Sequence, residues 1–181
     1  DQEPAISALA RAIKLARSHE TILVEGPRYS SESQGPVEVA NKIIEGQVRT
    51  MRVRFQDKYE IVVSSEHPVL GVTARHAGFL LIRFSFKSDE LTPYRRLKGK
   101  DYTGELAEFG EAVWFKRPEP EVQRARLEER WALGLWYGKS EKSDEHLLGT
   151  PAGLTLARSV QRRPQTQRWP KDFVARVICT V

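Results

Sequence analysis

Glu38, Asn41 and Lys42 follow steps of three and four, so a helix through this stretch brings all three to one face. A carboxylate with an amide and an amine one turn further on has the means to hold a cation and to meet a phosphate. The same polar face continues through Glu45, Arg49 and Arg52. Glu38 also has a plain structural use, because a carboxylate in a first turn complements the helix dipole by roughly 0.3–1 kcal/mol.

The elements that position these groups are legible around them. Val37, Ala40, Ile44, Val48, Met51 and Phe55 recur at helical spacing and give the apolar stripe of the same helix. Gly35 suits its cap and Pro36 its first position, and the pattern runs to about Lys58. Upstream, Ile6, Leu9, Ala10, Ile13 and Ala16 mark a helix over Ala5 to Ser18. Thr21 to Glu25 is a short apolar, β-branched run that reads as a buried strand, and Gly26 to Gly35 reads as a loop. The order is therefore acid (Asp1), helix, strand, loop and a second acid on a helix.

The run Tyr29-Ser30-Ser31-Glu32-Ser33-Gln34-Gly35-Pro36-Val37-Glu38-Val39-Ala40-Asn41-Lys42, continuing to Arg49, resembles the retroviral and retrotransposon integrase core position by position. In that family a loop bearing Tyr and Ser-Gln-Gly leads into a helix whose Glu is the third catalytic acid. The resemblance implies an α/β fold in which residues 1–100 form the distal, helix-rich half of a ribonuclease H-like core. It makes Glu38 the third acid and Asp1, 37 positions earlier, the second. The first acid is expected upstream of Asp1, on a strand that this sequence does not contain. Family members use two Mg²⁺ (or Mn²⁺) ions, and Asp1 and Glu38 are each expected to bind one. Tyr29 and Gln34 match loop positions that contact the DNA end, and Lys42, with Asn41 beside it, matches a phosphate contact. Glu45 departs from the pattern, standing where relatives often carry a basic residue.

The distal half differs in character. Pro68 to Phe86 reads as a second long amphipathic helix in which His76 sits among apolar neighbours as a core residue. Thr92-Pro93 opens a short helix with a cap residue and Pro at the first position. Glu111–Phe115, Ala132–Tyr137, His146–Leu148 and Leu154–Val160 read as strands, with a hairpin turn at Thr150–Gly153. Phe109-Gly110-Glu111-Ala112-Val113-Trp114-Phe115 and Trp131 to Gly138 resemble the barrel that follows the core in copia-like Pol polyproteins. Residues 108–181 are accordingly expected to form a small all-β, SH3-like barrel with a basic C-terminal segment. From Leu156 onward six basic residues face one acid, Asp172, and Arg162 and Arg163 are the expected contacts to nucleic acid. All four tryptophans lie in this half, and core packing is their commoner use.

Composition is that of a globular chain, 40% hydrophobic and 29% charged, with a net charge of +5 that suits a polyanionic partner. No apolar run approaches the ~20 residues that span a bilayer, so no membrane role is expected. A single cysteine excludes an internal disulfide and fits a reducing compartment, and the scattered histidines have no zinc spacing. The leading expectation is a retrotransposon integrase fragment that processes DNA ends and joins them to a target duplex inside the nucleus, acting as a multimer. The alternative is a catalytically inactive relic or an accessory nucleic-acid-binding module.

Overall fold

The computed structural model describes residues 4–23, 31–118 and 129–179. Asp1, Tyr29 and the end of the expected strand at 21–25 lie outside them, and residues 21–23 take no regular form. The chain divides into two compact units, residues 1–43 and 44–181.

The first unit holds helix α1 (Pro4–Ala16) and the opening of helix α2 (Ser31–Tyr59). No described residue in it is buried, and Ile6, Leu9, Ile13, Val37, Val39 and Ile43 are exposed. Helix α2 begins earlier than its sequence suggests. Pro36 lies inside the helix rather than at its first position, where its missing N–H forgoes one backbone bond.

The second unit is a mixed helix and antiparallel sheet domain. It contains the rest of α2, helix α3 (Val69–Phe84), the short helix α4 (Pro93–Lys98), five strands and a final short helix, α5 (Lys171–Val174). Thr92 caps α4 as expected, its hydroxyl accepting from the Arg95 N–H at 3.1 Å, and Gly99 closes it in the left-handed region. The Arg83 guanidinium at the end of α3 lies 3.9 Å over the Phe79 ring, with Tyr94 and Tyr102 alongside, which fixes α4 against α3.

Strands β1 (Ala112–Lys116), β2 (Trp131–Lys139), β3 (His146–Thr150), β4 (Gly153–Ala157) and β5 (Val160–Arg162) pair antiparallel in the order β4-β3-β2-β1-β5. The run read as one strand over Leu154–Val160 is two. The chain leaves β4 at Arg158-Ser159 and crosses to the far edge, where the Ser159 carbonyl accepts from the Lys116 N–H and Val160–Arg162 pair with Val113–Phe115. Strand alternation sorts the side chains to two faces. Ala112, Leu135, Tyr137 and Leu147 face a core shared with Phe55, Tyr59, Val69, Val72, Phe109 and Phe173. Val113, Phe115, Trp136, Leu148, Ala157 and Val160 form a second core on the other face. The C-terminal segment is folded onto this domain: Phe173 is buried, and Ile178 bridges to Thr150.

Candidate functional site

Helix α2 presents Glu38, Asn41 and Lys42 to solvent, as the spacing requires. Gln34 belongs to the same helix by its backbone. The described residues supply one carboxylate here, and among them no three His, Cys, Asp or Glu side chains gather as metal ligands. Glu38 alone does not make a divalent-ion site, which takes several converging oxygens. Further along α2, basic side chains have structural work. Arg52 donates to the Val63 carbonyl, and Arg54 pairs with Glu108 at 2.7 Å.

Arg162 and Arg163 are both engaged within the fold. Arg162 grips the fully buried Glu111 with two parallel bonds, Nε to Oε1 at 2.8 Å and Nη2 to Oε2 at 2.6 Å. Arg168 Nε adds a third contact to Oε1 at 3.3 Å. A buried carboxylate needs such partners, and a planar guanidinium fork suits it. Arg163 donates to the Gln167 carbonyl at 2.6 Å and lies 5.4 Å over the outward-facing Trp114 ring. Both residues shape the β5 edge before they meet any ligand.

Two surface features escaped the linear reading. Lys116, Arg117 and Arg158 line a concavity of ≈ 480 Å³ together with Glu145 and Ser159. Arg158 is 90% exposed and touches Glu145 only at 3.4 Å. A larger open groove of ≈ 730 Å³ is flanked by Trp114 and Trp131. The smaller concavity forms where the chain crosses from β4 to the β1 edge at Arg158-Ser159, a step that no spacing announces. Of the remaining tryptophans, Trp136 is fully buried and Trp169 packs edge-on against Tyr59 at 5.4 Å.

A polar network runs from the interior of the sheet domain to its surface. The Trp136 indole N–H donates to His146 Nδ1 at 2.9 Å, and Lys139 Nζ lies 3.2 Å from His146 Nε2. Lys139 also donates to the Asp144 carbonyl at 2.9 Å, and the Tyr102 hydroxyl donates to the Asp144 carboxylate at 2.9 Å. Burial pushes His146 down to about 4, and Lys139 below the usual lysine range. His76 is buried as the sequence implied; burial pushes it too down to about 4. Its Nδ1 has no hydrogen-bond partner and sits where a Cβ on Gly138 would come within 2.7 Å.

Comparison with known protein families, with curated proteins and with solved structures finds no match for this chain. Among the described residues no helix is long and apolar enough to cross a membrane.

Proposed function

We propose that the chain is the distal part of a retrotransposon integrase, with a partial ribonuclease H-like core followed by a small SH3-like barrel. The observation that carries this reading is the run from Tyr29 to Arg49, which matches the integrase loop and helix position by position. Exposure of Glu38, Asn41 and Lys42 on one face of α2 supports it, because a metal- and phosphate-contacting set has to be open to solvent. The five-stranded meander whose last strand returns beside the first supports the barrel.

In this reading Glu38 and Asp1 are acids of a polynucleotidyl transfer site completed by an aspartate on an upstream strand. Magnesium bound there would activate the attacking hydroxyl and stabilise the leaving oxygen. Tyr29 and Gln34 would hold the DNA end, and Asn41 and Lys42 would position its phosphate. Arg162, Arg163 and the basic residues of the concavity would act on the duplex backbone. Action on chromosomal DNA would place the protein in the nucleus, and a second copy is expected to share the work.

A second reading rests on the lone carboxylate: Glu38 has no acidic, histidine or cysteine cluster around it among the described residues. That observation favours a catalytically inactive module that binds nucleic acid through its basic domain. Titration with Mn²⁺, followed by paramagnetic broadening of α2 amide resonances, separates the two. Broadening centred on Glu38 and abolished by Glu38→Gln supports the integrase reading. Broadening that is absent, or unchanged in the variant, leaves the binding module.

A further inference from the structure

Strand register brings two tryptophans onto one face of the sheet domain. Trp114 pairs with Leu133 across β1 and β2 and with Gln161 across β1 and β5, and Lys116 pairs with Trp131. Partners in register share a face, so Trp114 and Trp131 point to the same side as diagonal neighbours, roughly 7–8 Å apart. Both line the ≈ 730 Å³ groove. Arg117 and Pro118 line that groove and also the basic concavity of ≈ 480 Å³, so the two hollows adjoin, one aromatic and the next basic.

An exposed indole is ordinary by itself, but this one is 39% exposed and held in place. The Arg163 guanidinium over its ring is fixed in turn by Gln167, whose carbonyl accepts at 2.6 Å and whose side-chain oxygen accepts at 3.1 Å. A ring already positioned by its neighbours loses little freedom on stacking. Lys116, Arg117 and Arg158 line the two hollows against Glu129 and Glu145. Glu145 is itself occupied, accepting from the Ser143 hydroxyl at 2.8 Å and meeting Arg158 at 3.4 Å. The occupant that suits this surface is a polyanion with flat apolar faces. A duplex strand advances only ~3.4 Å per nucleotide and keeps its base faces against one another. Bases seated on indoles about twice that far apart are separated from each other, which an unpaired strand allows and a duplex does not.

We propose that this face binds an unpaired nucleic-acid strand, with bases stacked on Trp114 and Trp131 and phosphates led by Arg117 into the concavity. This binding rests on the nucleic-acid part of the function proposed above, and it uses neither Glu38 nor a metal ion.

Fluorescence anisotropy of labelled oligothymidylate, and of a labelled duplex of equal length, tests this on the whole chain across a salt series. Trp114→Ala and Trp131→Ala are each expected to weaken oligothymidylate binding by about five- to a hundredfold, with the salt slope unchanged and duplex binding kept. Arg117→Ala is expected instead to lower the single-strand slope by about 0.7. Trp114→Phe keeps a flat face and should recover most of the loss. Oligothymidylate binding indifferent to both tryptophans in folded variants, or duplex binding weakened equally, overturns the proposal. A chain that binds duplex but not oligothymidylate also overturns it and leaves the nucleic-acid reading standing, whereas binding to neither ends both. Conversion of a dimer to a monomer by Trp114→Ala, with oligothymidylate affinity unchanged, would assign the face to a second copy instead. Should the alanine variants not fold, photocrosslinking of the parent chain to an iodouracil-substituted strand decides. Adducts on Trp114 or Trp131 support the proposal, and adducts confined to other residues refute it.

Discussion

The Tyr59 hydroxyl donates to the Gly110 carbonyl at 2.7 Å, tying the end of α2 to the corner that opens the sheet. Gly110 in turn donates its N–H to the Trp136 carbonyl at 2.7 Å and holds φ at +82°. A Cβ at this position would fall 2.4 Å from the Phe55 ring. The corner therefore requires glycine twice, for its left-handed backbone and for space. Gly110→Ala is expected to cost roughly 2–5 kcal/mol, the sum of the backbone penalty and overpacking. Tyr59→Phe leaves the ring stacked and removes one buried bond, so about 1 kcal/mol is expected, plus part of the desolvation of the orphaned carbonyl. Urea unfolding of both variants checks the ranking. A Gly110→Ala protein as stable as the parent would remove this corner from the account.

The buried histidines set the acid side of the stability curve. His76 and His146 are both held neutral by burial, down to about 4 against an ordinary 6.5. The unfolded chain binds these protons first, so stability is fully present above about pH 6.5 and is lost as pH falls towards 4. The limiting slope is about 1.4 kcal/mol per pH unit for each histidine, less whatever solvent reaches the rings. Unfolding midpoints at pH 7.5, 6 and 5 should fall in that order. His76→Phe, which keeps the stack with Phe79 and Phe109 while deleting an unsatisfied nitrogen, should flatten the decline. A midpoint that does not change between pH 7 and 5 contradicts the assignment.

Sequence legibility followed the range of the interactions. Helix α3, the Thr92 cap, the Thr150–Gly153 turn and buried His76 were all readable, because each depends on periodicity or on neighbours within a few residues. The start of α2 was misplaced, because Pro36 marks a first turn locally and the helix tolerates it inside. The split of β4 from β5 was missed, since Leu154–Val160 is one apolar run and only pairing with β1 divides it. Arg162 and Arg163 read as free charges in a basic tail. Their partners, Glu111 and Trp114, stand about fifty residues earlier, and no spacing links them. The Lys139–His146–Trp136 contacts were invisible for a related reason: the register shift between Trp136 and Gly138 decides which side chains meet.

Glu111 is the buried anion on which the β5 edge depends. Its carboxylate is wholly enclosed and meets Arg162, Arg168 and the Glu108 N–H. Glu111→Gln removes the buried negative charge that Arg162 and Arg168 face and turns an NH2 donor toward them, and it is expected to cost about 3–5 kcal/mol. Arg162→Ala leaves Arg168 in place, so its cost should be smaller, about 1–3 kcal/mol. Thermal unfolding of the single variants and of the pair measures the coupling. Strict additivity would show that the three side chains do not act as one cluster.

This engagement of Arg162 determines how duplex binding has to be tested. If Arg162→Ala with Arg163→Ala weakens binding, the loss could reflect a disturbed β5 edge rather than lost phosphate contacts. Arg117 and Arg158 separate the two cases, because they line the concavity without entering the Glu111 cluster. Each phosphate contact contributes about 0.9 to the slope of log affinity against log salt on duplex DNA. Arg117→Ala with Arg158→Ala should reduce that slope by up to about 1.8 while the unfolding midpoint stays within error of the parent. Fluorescence anisotropy with a labelled duplex across a salt series measures it. An unchanged slope at unchanged stability would remove the concavity from the nucleic-acid interface and leave the Trp114–Trp131 groove as the next surface to substitute.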